Sequence, residues 1–460
     1  MTTTVSAADT YPHYAAAYQS LTAGAPQSML DLRHRGWNAF VGLGLPTARR
    51  GNEPWKYTNV APIAREPFGY AQTSGGVDGD ISLADVKSVA PWNVDWRTLV
   101  FVDGAFAPGL SADTGSGGPA GSAAPAGLIV ANLPDAMASP GAFGEAVLGG
   151  LAVPEDDGFA ALNTAFAGDG VGINVPAGQD AGVVNVVYLT TERQQSKVTY
   201  PRMLIAAQPN SRLKVIETYI GPDDTRYFTN AVVEIYVGEG AKVEHYRLLM
   251  DGLNAYHVGV SRVLQQRDSS FSSVAIAQGA ELGRNDFGIT LAGPGVECTL
   301  NGLYLTTGNQ HMDNYINIDH TEPYGTSRLF YKGILHGQSR AVFGGNVTVR
   351  EGAQKTDAQQ TDKNLLLSEQ AEVDSKPSLL IYADDVKCGH GATAGHIDMD
   401  TVFYMRSRGL DLPTASRLLI HAFASEIIDT VALEPLRGYL DERLQKAIPD
   451  ADISLPIGGR

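Results

Sequence analysis

From about Val171 to Thr393 the chain is a succession of short β-branched segments separated by Gly, Asn, Asp and Pro, among them VVNVVYLT, RMLIAAQ, RLKVIETYI, AVVEIYVG, AKVEHYRLLM, VECTLNGLYLT and AVFGGNVTVR. That composition is one of strands and turns. With 51 Gly and 24 Pro in 460 residues, the chain has material for many turns. A looser regularity overlies the strands. PNSRLKV, GEGAKVE, RDSSFSS, GPGVECT, GQSRAVF and SEQAEVD are each a polar turn leading a small or apolar pair into a strand. Measured from Leu213, Val243, Phe271, Val296, Val342 and Val373, the steps are 30, 28, 25, 46 and 31 residues, and the 46 has room for one missed turn. A period in this range suggests a β-solenoid, in which each coil buries its face on the next. A sandwich or barrel with irregular hairpins is the other architecture that periodicity leaves open.

The flanks have a different texture. Residues 1–150 read as a mainly helical domain, in which Met29, Leu30, Arg33, Trp37 and Phe40 follow helical spacing until Gly42, Gly44 and Pro46 stop the helix. RRGNEPWKYTNV (Arg49 to Val60) follows, and the Gly/Ala/Ser/Pro-rich stretch 109–127 reads as a flexible excursion. Residues 151–395 form the β region. Residues 396–460 are helical: Leu418, Leu419, Ala422, Phe423, Glu426 and Ile427 share a helical pattern with Asp411 or Thr414 as N-cap, Gly409 precedes it, and a last helix begins near Pro435 with Leu436, Tyr439, Leu440 and Leu444.

Acidic residues outnumber basic ones 50 to 34, for a net charge of −16, the wrong sign for tracking phosphates, so no nucleic-acid partner is expected. No apolar run approaches the roughly 20 residues that span a bilayer. The N-terminus lacks a basic segment followed by an apolar one, so no membrane or secretory route is expected. The two cysteines, Cys298 and Cys388, are too few for a disulfide framework or a self-sufficient four-cysteine cluster, which suits a cytoplasmic protein with free thiols.

Chemistry-bearing residues are sparse. In DDVKCGHGAT, an extended Val386–His390 would project Cys388 and His390 to one side, with Asp384 a step earlier on that side. Thiolate and imidazole are metal ligands, but a tetrahedral site needs two more. His311 and Asp313 share a strand face and read as an outward polar row rather than a metal site. Glu244 and His245 point to opposite faces. AQKTDAQQTDKN (Ala353 to Asn364) reads as a solvated turn, and no P-loop, GxGxxG or GxSxG is present.

The run AQKTDAQQTDKNLLLSEQAEVDSKPSLLIYADDVKCGHGAT, continued by FYMRSRGL and LLIHAFASEIID, resembles the SufB/SufD family of iron–sulfur cluster assembly scaffolds, densely over about Val342 to Asp429 and more loosely back to Val171. RRGNEPWKYTNV is similar to an N-terminal signature of the SufD branch. SufB-type chains carry a cysteine in the strand before the equivalent of IYADD, and Leu365 to Ile381 has none; they also read E-H-E-A where Gly389-His390-Gly391-Ala392 stands. SufD-type chains usually have Ser or Thr at the position of Gly389. The resemblance implies a right-handed parallel β-helix with N- and C-terminal helical domains, acting as a non-catalytic scaffold. It implies pairing with SufB through the β-helix, whose open strand edge invites another chain, and docking of the ABC-type ATPase SufC on the C-terminal helices, for which Phe403, Tyr404, Arg406 and Arg408 are the candidates. It further implies a transient iron–sulfur cluster at the SufB junction, with His390 and Cys388 as ligand candidates and no cluster held stably by this chain alone. A homodimer could form when SufB is absent. A SufB paralogue and a β-helix polysaccharide lyase are the competing readings.

Overall fold

A computed structural model describes residues 11–21, 27–49, 51–71, 81–112, 126–138, 140–144, 146 and 148–448. Most of the stretch expected to be a flexible excursion, residues 113–125, lies outside them.

The repeat is a β-solenoid built from two sheets, with successive strands alternating between them. The first sheet stacks Val171–Val175, Arg202–Ala207, Tyr227–Val237, Tyr256–Gln265, Leu282–Leu291, His311–His320, Arg340–Val349 and Glu372–Ile381 in parallel. The second stacks Asp180–Leu189, Arg212–Ile220, Lys242–Met250, Ser270–Gln278, Glu297–Thr306, Thr326–Leu335, Asp357–Leu366 and Lys387–Gly395. In the second sheet Leu213, Val243, Phe271, Cys298, Ser327, Ala358 and Cys388 stand in one register, at steps of 30, 28, 27, 29, 31 and 30 residues. The expected anchors slip after Phe271. Val296 sits two residues early, and Val342 and Val373 belong to the first sheet, so the 46-residue step joined one whole coil to part of another.

One corner explains the first four of the recurring polar turns, PNSRLKV to GPGVECT, whereas GQSRAVF and SEQAEVD lie at a different corner, leading into the first sheet. Asn210, Gly240, Asp268, Gly295, Tyr324 and Lys355 occupy equivalent places in successive coils, all with positive φ. In that conformation each amide donates to a corner carbonyl of the following coil, as from Asn210 to Glu239 at 2.8 Å and from Lys355 to Asp385 at 2.6 Å. Gly and Asn/Asp adopt this backbone most readily, which is why the motif recurs in their letters at the first four of these positions, while Tyr324 and Lys355 break the pattern.

Most of Ala353 to Asn364, expected to be a solvated turn, falls in the strand Asp357–Leu366 instead. Gln360, Asp362 and Asn364 alternate into the interior and are buried. Their polarity concealed the alternation, because an inward-facing strand is normally recognised by apolar residues.

Helices cover both outer faces. Gln27–Leu43 and Gly158–Ala165 bury Phe40, Phe159, Leu162 and Phe166 against the first sheet near Val198, Phe228 and Val258. Gly36 permits their crossing, since a Cβ there would lie 2.4 Å from the Ala165 amide nitrogen. Arg97–Val102, inside the N-terminal 150 residues, adds a parallel strand to the second sheet. At the C-terminal side, Leu412–Ile428 is capped by Asp411, which accepts from the Thr414 amide at 2.9 Å. It buries Ile420, Ala424 and Ile427 on the second sheet beside Ile216, Leu248 and Leu303. This helix therefore spends its apolar face covering the solenoid.

The segment Glu53–Thr58 seals the first sheet farther along. Trp55 lies over Arg284, whose guanidinium is 3.8 Å from the Trp55 ring centroid and 4.8 Å from that of Tyr315. Arg284 pairs with Asp313 and Asp286, while the Thr58 hydroxyl donates to Asp313 at 2.5 Å and lies 3.0 Å from His311 Nε2. His311 and Asp313 are thus on the outward row as expected, but they are covered by protein rather than facing water. Truncating a buried Trp usually costs about 3–5 kcal/mol. Trp55→Ala should fall in that range by chemical denaturation, and a loss below about 1 kcal/mol would show that Trp55 is not a seal.

Candidate functional site

The solenoid stops at Glu372–Ile381 in one sheet and Lys387–Gly395 in the other, each paired along a single side. At the opposite end the sheets finish differently, with the antiparallel strands Ile129–Asn132 and Ala105–Phe106. The terminal coil is therefore where the stack of in-register parallel strands is left open.

Register fixes which residues the open end presents. Cys388 continues the inward row from Ala358, and His390 continues it from Gln360, both of which are buried. Ala392 and Ala394 follow Asp362 and Asn364. Within a coil these positions would be core. On the last strand no further coil covers them, so His390 is exposed although it sits on an inward row. Cys388 is half-buried and packs on the end of the core with Val386. Burial pushes its thiol upward, with a backbone hydrogen bond from Ala358 opposing and Asp357 adding to the rise.

Asp384 does not join them. It is exposed in the bend that precedes the strand, so the alternation starting at Lys387 does not extend to it. Gly389 faces the other way, with extended pairing to Gln359. A Cβ there would meet only the Gln359 Oε1 at 2.8 Å, the end of a flexible side chain. Glycine at this position leaves the register of His390 intact. Around the site Tyr324, Leu380, Ile381 and Tyr382 expose apolar surface on the corner and the edge strand. Large apolar groups gathered at an unpaired edge mark an interaction surface.

The other candidates lie on Met399–Ser407 and just after it. This helix buries Val402 and leaves Phe403 74% and Tyr404 59% exposed. Arg408 lies 5.2 Å from the Tyr404 ring and donates to its hydroxyl at 3.3 Å. Arg406 and Arg408 are exposed. A connection not anticipated from the sequence is Lys332, whose side chain is buried under the Leu412–Ile428 helix. Its ammonium donates to the Phe423 carbonyl at 2.6 Å, pairs with Glu426 at 2.8 Å and lies 3.9 Å from the Phe423 ring. Glu426 also reaches Lys363 at 4.0 Å, on the strand next to the one carrying His390. The lysine's place beside Phe330 in a strand gave no sign that a helix would cover it.

Among the described residues no group of three or more His, Cys, Asp or Glu could hold a metal ion. What the open end has is an imidazole and a half-buried thiol on one row. Comparison with known proteins places the chain as a whole. Residues 188–423 match the family model of the SUF system FeS cluster assembly SufBD core domain, and residues 6–184 match that of the SufBD protein N-terminal region. The chain belongs to the SufBD family. It is 31% identical over 432 residues to the iron–sulfur cluster assembly protein SufD of Escherichia coli, covering 93% of this chain and 94% of that one. A SufBD family protein of Synechocystis is 31% identical over 440 residues, 92% of each chain. The chloroplastic protein ABCI7 of Arabidopsis thaliana is 31% identical over 426 residues, 89% of this chain and 84% of the other. The chain is thus a SufD-like protein of iron–sulfur cluster assembly, and the polysaccharide lyase reading falls away. No described helix is long and apolar enough to cross a membrane.

The SufBD chain's two thiols should differ sharply in reactivity. Burial raises both, and Cys298 is wholly enclosed. Since the thiolate is the nucleophile, alkylation of native protein at pH 8 should modify Cys388 more slowly than a free cysteine, and accelerate as pH rises further. Cys298 should react only in denaturant. Mass spectrometry showing equal labelling of both in native protein would contradict this placement.

Proposed function

We propose that this SufD-like chain is a non-catalytic, cytoplasmic scaffold subunit that presents His390 at the open end of its solenoid, where a SufB solenoid completes a site for a nascent iron–sulfur cluster. The observation that carries the reading is His390 itself: an inward-facing position on the last strand, left exposed for want of a covering coil. A second β-helix added across the edge would enclose it. The cluster is cargo shared between chains. This chain contributes one imidazole and at most the Cys388 thiol, short of a complete ligand set, so it holds no cluster stably alone. An imidazole also releases iron when protonated, which suits a transient ligand. Without SufB the same apolar edge would support a homodimer.

The SufC ATPase fits the helix Met399–Ser407, where Phe403 and Tyr404 are exposed beside Arg406 and Arg408. The following helix is occupied in covering the sheet, and its buried Lys332 contacts give a physical link from the docking helices toward the His390 strand.

His390→Ala in the complex with SufB and SufC should abolish cluster accumulation, read by visible absorption and iron content, with SufB and SufC still co-purifying. Cys388→Ala should do less. Normal cluster yield from the His390→Ala complex would make the histidine structural and the reading wrong. Separately, reversing charge at Arg406 and Arg408 should weaken SufC binding with circular dichroism unchanged, and unaltered SufC affinity would remove this helix as the dock.

A further inference from the structure

The interior of the last coils holds a polar chain that the proposed function does not use. Six carboxylates are buried among the described residues: Glu217, Glu234, Asp251, Asp286, Asp313 and Asp362. The first five each pair with an arginine or histidine. Asp362 has no such partner. Its Oδ2 accepts from the Ser375 hydroxyl at 2.6 Å and from Asn364 Nδ2 at 2.7 Å, and its Oδ1 has no hydrogen-bond partner among the described residues. Asn364 is held in turn by the Tyr304 hydroxyl, which donates to its Oδ1. Burial pushes the Asp362 carboxyl up to about 6, opposed only by the bonds from Ser375 and Asn364. A buried carboxylate without a cation is costly, so its neutral donors are the feature to explain.

Glycines make room for this chain. A Cβ on Gly333 would stand 2.3 Å from Asn364 Oδ1, and one on Gly345 would stand 2.5 Å from Gln360 Oε1. The bonds join elements that backbone pairing does not. Asp362 belongs to the second sheet and Ser375 to the first, so their bond crosses the solenoid interior. Gln360 makes a second crossing, donating to the Ser378 carbonyl at 3.0 Å. Both crossings seize Glu372–Ile381, an edge strand paired on one side, which leads through residues 382–386 into the strand of His390. An edge strand of this kind frays first. In register, His390 lies directly over Gln360, and Ala392 over Asp362.

We propose that Asp362 is a positioning residue: by gripping Ser375 across the interior from the Asn364–Tyr304 chain, it fixes the terminal coil and thereby sets where His390 is presented. A charged acceptor suits the task, because one oxygen can hold two donors more strongly than a neutral group would. An apolar residue could fill the same space but could not tie the two sheets together. The brace stands without the proposed function, and only its consequence for clusters rests on that reading.

Hydrogen exchange read by mass spectrometry on the full chain tests the brace. Asp362→Ala should raise exchange about tenfold or more across 372–381 and 387–395 and leave 242–278 unchanged. Ser375→Ala should do the same in 372–381. Asp362→Asn keeps an acceptor and the shape, and should restore exchange to within about threefold of the parent chain. In the complex with SufB and SufC, Asp362→Ala should lower cluster yield several-fold, on the order of the population lost to opening, with partner binding retained, and Asp362→Asn should recover it. Unchanged exchange in the terminal coil of Asp362→Ala, or an asparagine no better than alanine, overturns the brace. A loosened coil with undiminished cluster yield overturns its link to His390, whereas normal yield from the His390→Ala complex overturns the proposed function, which separates the two failures.

Discussion

Backbone pairing in a parallel solenoid runs from each coil to the next and must stop somewhere, and in this chain it stops at Glu372–Ile381 and Lys387–Gly395. The unpaired amides and carbonyls of these edges are the constraint on which the remaining features depend. Elsewhere in the described residues the sheets are covered by helices on their outer faces or finished by short antiparallel strands. Water can satisfy an exposed edge, but it cannot supply the missing apolar face of a coil, and Cys388, His390 and Leu379 stand where that face would be met. In the proposed function a partner solenoid would supply both.

The rest of the molecule is arranged to keep that end in order. From one side the Glu53–Thr58 segment reaches the terminal coil through Glu53, which pairs with Lys376 at 2.6 Å, while Trp55 and Tyr315 enclose Arg284 three coils earlier. From the other side Glu426 bridges Lys332 and Lys363 beneath the Leu412–Ile428 helix. Surface ion pairs such as Glu53–Lys376 contribute little alone. Lys332 is different, because its ammonium is enclosed, and its loss would take this donor from the Phe423 carbonyl and leave Glu426 with only the more distant Lys363. Segments distant in sequence thus converge on the coils that carry the site.

The architecture was legible wherever side chains followed the alternation of a half-buried strand or the turn demanded a left-handed residue. The corner from Asn210 to Gly295 carried the period, and the helix from Leu412 showed both its cap and its apolar stripe. What was hidden was polarity turned inward. Gln360, Asp362 and Asn364 look like a solvated turn because nothing in a linear pattern reveals the glycines opposite that admit them. His311 and Asp313 were placed on the correct side, yet their cover came from a segment some 250 residues earlier, with |i−j| of 253 for the Thr58–His311 contact. The site was half visible: the Cys388–His390 spacing gave their shared side, but only register shows that this side is the uncovered interior of the last coil. Asp384 fell away because the chain bends before the strand begins.

The proposed function requires an imidazole from this chain to be bonded to iron across an interface closed by another chain. The most direct measurement is electron–nuclear double resonance on the reduced cluster of the complex with SufB and SufC, with nitrogen-15 introduced only into the histidines of this chain. Ligation by His390 should give a strong nitrogen-15 hyperfine coupling of directly bonded magnitude, absent when His390 is replaced by alanine. A paramagnetic cluster at full occupancy with no such coupling would contradict it.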